Sequence, residues 1–88
     1  MIVQVFCVYD SKAGAYGQPY FCLNEQIAIR AMRTTCNDPD SMLCKYPADF
    51  NLFHLGHFDD HTGAFTQFAA PISLGLALNF KGQENADA

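Results

Sequence analysis

The chain has 88 residues, half of them apolar and only 16% charged, which fits one folded domain and excludes a second core or a disordered chain. Five Lys plus Arg against nine Asp plus Glu give a formal net charge of −4. That is the wrong sign for a general polyanion binder, so any nucleic-acid contact must come from a local patch. Eight Phe and four Tyr are more rings than so small a domain hides easily, and part of that surplus is expected in a subunit or partner interface.

Residues 2–9 are nearly all apolar, β-branched or aromatic, on both faces, and predict a central strand covered on two sides. Residues 10–17 read as a loop with two glycines. Residues 18–22 are extended at most as an edge segment, because Pro19 cannot donate to a ladder. Asn24 then caps a helix that ends near Asn37, before Asp38-Pro39. Ile27, Ala28, Ile29, Ala31, Met32 and Cys36 fill its apolar arc, opposite Gln26, Arg30 and Arg33. Residues 40–46 suit a short helical turn. Residues 52–58 and 65–68 form a hairpin around Asp60-His61-Thr62-Gly63, which has type I turn chemistry. Residues 71–80 satisfy both a period of two and helical spacing, and a short helix is preferred with Pro71 in its first turn. The expected fold is α+β: a small mixed or antiparallel sheet with one main helix on one face, a single domain over residues 1–80, and a polar tail over 81–88.

No stretch reaches the ~20 apolar residues of a membrane helix, and residues 2–9 lack the basic leader and cleavage site of a signal peptide. Cys7, Cys22, Cys36 and Cys44 contain no C-x-x-C pair and are expected reduced, packed as small apolar groups. His54 and His57 stand three apart in a strand, an odd step that points them to opposite faces. His57, His61, Asp59 and Asp60 offer a divalent-metal set around the turn, but a polar hairpin end is the simpler account, and no metal or other cofactor is expected. Asp59-Asp60 is explained by turn chemistry. No base or electrophile accompanies it, so the chain is expected not to be an enzyme.

The cations carry more information. Arg30 and Arg33 lie one turn apart on the helix, and Lys12 sits in the glycine loop beside Tyr16 and near Tyr20. With Lys45 these residues make the candidate nucleic-acid-binding set, cations for phosphates and Tyr16 and Tyr20 for bases. An ordinary solvated helix face is the simpler account of the arginines. A chain that neutralises only about two or three phosphates gains little from counterion release, at a slope of about −0.9 per contact. DNA binding therefore implies several copies acting together or recruitment by another protein.

Several motifs point to one family. They are Val5-Phe6, Tyr9-Asp10-Ser11-Lys12-Ala13, Gln18-Pro19-Tyr20-Phe21, Ala28-Ile29-Arg30, Asn37-Asp38, Tyr46-Pro47-Ala48-Asp49-Phe50, Leu55-Gly56-His57-Phe58-Asp59-Asp60-His61-Thr62-Gly63 and Leu74-Gly75. In these the chain resembles the small non-structural protein of gokushoviruses, single-stranded DNA phages of the Microviridae. His57 stands where many relatives have glutamate, which weakens the metal reading further. The resemblance implies a protein of the infected bacterial cytoplasm, absent from the virion, that binds DNA or acts in the switch from replication to packaging. It brings no functional residue set with it. The leading expectation is a phage accessory factor, a homo-oligomer that engages single-stranded or replicative-form viral DNA in late replication or packaging. The alternative is an adaptor that contacts replication, procapsid or host proteins without touching DNA. No membrane partner is expected.

Overall fold

In the computed structural model, which describes residues 1–82, the β-branched and aromatic start of the chain forms strand β1 (Ile2–Asp10). Asp10 ends it: one carboxylate oxygen accepts from the Lys12 and Ala13 amides at 2.9 and 3.3 Å, and Gly14 takes φ +66° to turn the chain. Two short strands, β2 (Ala15–Tyr16) and β3 (Tyr20–Cys22), fold back antiparallel onto β1, leaving Pro19 between them where no ladder needs its amide. Helix α1 (Glu25–Cys36) starts at Asn24, whose Oδ1 accepts from the Ile27 amide at 3.0 Å. A four-residue helix α2 (Met42–Lys45) and a 3-10 turn at Pro47–Asp49 lead into the long hairpin β4 (Phe50–Asp59) and β5 (Ala64–Leu76). A last turn of helix, α3 (Ala77–Phe80), follows.

All pairings are antiparallel, in the order β2-β1-β4-β5, with β3 beside β1 on the same edge as β2. The α+β expectation holds in outline, but the sheet is larger than one helix on a small sheet, and strands dominate. Residues 71–80 divide where the two periods compete. Through Leu76 the segment pairs with β4. Only then does it coil, with Asn79 Oδ1 accepting from the Leu76 amide at 2.8 Å. The preference for helix from Pro71 is thus corrected, because the β4 ladder satisfies the backbone of 72–76. The predicted tail falls mostly on residues 83–88, outside the described residues.

One face of the sheet carries the core. Phe6 and Leu52 meet Ala28, Met32 and Cys36 of α1 and Ala77 and Phe80 of α3, with Val8, Tyr20, Ile29, Leu43 and Leu74 around them. The apolar arc of α1 is narrower than its wheel suggests, since Ile27 and Ala31 remain exposed. The helices occupy this face alone.

The opposite face is shaped by irregularities in β4. Val5 pairs with Gly56 and Phe6 with His54, so Leu55 is an extra, bulged residue; on β5, residues 68–71 bulge out opposite it. Gly56 lies so close to β5 that a Cβ there would collide with the Thr66 carbonyl oxygen. The sheet curls around this point. Phe21 on β3 and Phe65 on β5 have β1 and β4 between them, about 14 Å in a flat sheet, yet their ring centroids are 6.0 Å apart. A Gly56→Ala chain is expected to lose about 3 kcal/mol or more in urea unfolding, since backbone rather than a side chain must yield. Gly17→Ala, whose Cβ meets only the Val8 carbonyl oxygen at an ordinary 3.5 Å, should stay within about 0.5 kcal/mol.

Candidate functional site

The curl makes the helix-free face concave. Residues that share this face by register are Val3, Val5, Cys7 and Tyr9 of β1, Phe21 of β3, Phe53, Gly56 and Phe58 of β4, and Phe65 and Gln67 of β5. Val5 and Cys7 are buried at the floor although no helix covers them; Val5, Pro19, Leu55, Gly56, Phe65, Thr66 and Gln67 line a common cleft. The Cys7 thiol donates to the Gly17 carbonyl at 3.1 Å, which ties the β2–β3 connection to the floor.

Rings gather at two places on this face. Tyr9, Tyr16 and Phe53 form one group, with centroids 4.8, 5.7 and 6.4 Å apart. Phe21, Phe58 and Phe65 form the other, at 5.2, 6.0 and 6.1 Å. Together the groups span β1 from Val3 to Tyr9, six residue steps or about 20 Å end to end. Tyr16, Phe21 and Phe65 remain 48%, 51% and 63% exposed, so each leaves part of its ring to solvent. Aromatic faces held open on a sheet accept planar apolar groups, either nucleobases or the rings of a partner protein.

The structure brings few of the six predicted site residues together. Tyr16 belongs to the groove. Tyr20 is half-buried on the other face, its ring 6.0 Å from Phe6, and packs into the core. Arg30 and Arg33 lie on α1 and Lys45 on α2, in the helical layer. Lys12 lines a separate cleft with Asp10, Met42, Tyr46, Asp49 and Phe50. Lys81 donates to the Cys44 carbonyl of α2 at 2.8 Å. The residues that line the groove include no Lys or Arg. Sequence reading missed Tyr9, Phe21, Phe53, Phe58 and Phe65 as a set. The signal was the two-sided apolar pattern of β1 in a sequence that predicts one main helix.

The histidines require a correction. His54 and His57 were expected on opposite faces, but the bulged Leu55 adds one residue between them and returns both to the helix side, where Phe68 packs against His54 at 4.8 Å and His57 at 6.2 Å. His54 is buried and stacked on Phe6 at 4.7 Å. Its Nε2 faces two acceptors, Gln4 Oε1 at 2.8 Å and the Gly56 carbonyl at 3.1 Å, while Nδ1 lies 3.6 Å from Glu25 Oε2. Its polar atoms tie β1, β4 and α1 together, a structural role. Among the described residues no group of three or more His, Cys, Asp or Glu is placed to hold a metal.

Sequence comparison places these features in a known context. A family model described as Phage ORF5 protein matches residues 3–80. Protein ORF5 of Chlamydia phage 1 is 36% identical over 75 residues, an alignment that covers 81% of this chain and 74% of that protein. No solved structure matches. No helix among the described residues is long and apolar enough to cross a membrane.

Burial leaves a titratable signature on both faces of the sheet. Tyr20 is pushed up to about 12, first by desolvation and then by the nearby Cys22 and Cys7 thiols. Desolvation also raises the Cys7, Cys22 and Cys36 thiols. For Tyr20 the folded state holds its proton longer than the unfolded chain does. This contribution is complete below pH 10 and is lost as pH rises toward about 12. Stability followed by urea unfolding should fall across that window, and a Tyr20→Phe chain should fall less steeply.

Proposed function

Because the chain belongs to the Phage ORF5 protein family, we propose that it is a non-structural phage protein that holds single-stranded viral DNA by its bases, in the bacterial host cytoplasm, during late replication or genome packaging. The observation that carries this reading is the helix-free, concave sheet face with Tyr16, Phe21 and Phe65 held open. Stacking contributes about 1–3 kcal/mol per base, so three rings supply about 3–9 kcal/mol, a range that reaches micromolar affinity. That mode suits a chain of net charge −4, because it asks little of phosphate neutralisation. It also selects single strands, since duplex DNA keeps its bases paired and stacked away from such a groove.

The adaptor reading has its own support. The groove lining lacks Lys and Arg, while the cations sit with the helices, and charge depletion with aromatic enrichment is the composition of a protein–protein interface core. In that case the rings receive a protein partner, from the replication or procapsid machinery or from the host.

Fluorescence anisotropy with a labelled oligothymidine across a salt series separates the two. Base-directed binding predicts a shallow salt dependence, worth about one or two phosphates at about −0.7 each. A Tyr16→Ala/Phe65→Ala chain should bind at least about thirtyfold more weakly, as expected for two lost stacking contacts. An Arg30→Ala/Arg33→Ala chain should change affinity little. Loss of binding in the arginine variant alone would move the contact to α1. No binding by the intact chain, with protein partners retained after nuclease treatment of infected-cell extracts, would replace this reading with the adaptor.

A further inference from the structure

Strand β5 is the outermost of the sheet, with β4 on one side and no strand on the other among the described residues. It is the longest strand, at 13 residues, and ten of these are exposed. An open edge presents unpaired amide and carbonyl groups, and soluble proteins blunt such edges with charges, above all lysine, or with proline and bulges. Here residues 64–76 contain no Asp, Glu, Lys, Arg or His at all; Pro71 and the 68–71 bulge interrupt the edge without charging it. Phe65, Ile72 and Leu76 remain exposed along it, followed by Leu78 on α3.

We propose that this edge is where a second copy of the chain docks, β5 against β5, antiparallel about a two-fold axis. Charge selects the occupant. A chain of net charge −4 repels its own copy over most surfaces, but an isologous pairing along β5 sets uncharged residues against uncharged residues. A partner recognised by complementary charge finds nothing there to grip. In antiparallel self-pairing about the bulge, the 64–67 stretch of one copy lies beside the 72–76 stretch of the other, so both regular parts of the edge find partners.

Area sets the strength. A standard interface takes about 800 Å² and 20–30 residues from each partner, roughly one seventh of the 5505 Å² surface. Thirteen strand residues fall short of that number, so Leu78 and its surroundings must contribute. The dimer is therefore concentration-dependent rather than obligate. It also sets two grooves side by side, because Phe65, Thr66 and Gln67 form a groove wall. The pairing does not depend on what the groove binds.

Sedimentation of the full chain, without DNA, over a concentration series tests it. A reversible monomer–dimer equilibrium is expected. A Thr66→Lys/Ile72→Lys chain should raise its dissociation constant at least tenfold while its far-ultraviolet circular dichroism stays unchanged. Mixing that chain with a Thr66→Glu/Ile72→Glu chain should restore the dimer, which a misfolded variant would not do. A monomer at every accessible concentration, a dimer indifferent to the lysines, or a mixture that stays monomeric would overturn the proposal. Since the readout contains no nucleic acid, its failure leaves the DNA reading untouched, and the reverse also holds.

Discussion

At Gly56 the two long strands come so close that the Thr66 carbonyl occupies the place where a side chain would begin. A bulge on each strand flanks this contact, Leu55 on β4 and residues 68–71 on β5. Bulges increase local twist, and a residue without a Cβ lets the backbones approach. Together they bend the sheet until rings from strands on opposite sides of β1 and β4 meet. Without that bend the helix-free face would be a flat apolar surface; with it, Val5 and Cys7 are buried by their own sheet.

This geometry divides the molecule into two chemically distinct sides. The helical side holds the core, the buried His54 and its partners, Arg30 and Arg33 of α1 and Lys45 of α2. The concave side holds open rings and no Lys or Arg in its lining. The surplus of aromatic residues in so short a chain is thereby explained: six of the rings serve a surface rather than the helix-packed core. Under the proposed function, a chain of net charge −4 would hold a base or a partner's side chain through these rings, with little help from long-range attraction.

Much of this was legible in the sequence. Helix α1 announced itself through the Asn24 cap and its apolar spacing, and the β4–β5 turn through Asp60 and Gly63, because these signals act within a few residues. The resemblance to the gokushovirus protein is borne out by the family match over residues 3–80. What could not be read was register. A bulge adds one residue without any compositional mark, so the parity of His54 and His57 was inverted by Leu55. Tyr20 stands next to Phe21, and a strand sends the two to opposite faces. The chain alone does not say which of them meets the core, and the structure gives the core to Tyr20 and the groove to Phe21. Lys12 and Tyr16 are neighbours in the chain, yet the turn after β1 puts one in a cleft with α2 and the other among the groove rings.

The curl itself is open to a direct measurement. In the full-length chain in solution, ring protons of Phe21 should show nuclear Overhauser contacts to those of Phe65, because a 6.0 Å separation of centroids brings ring edges within reach. Contacts from Phe21 confined to its neighbours on β1, with none to Phe65, would mean a flat sheet and would remove the groove on which the account is built.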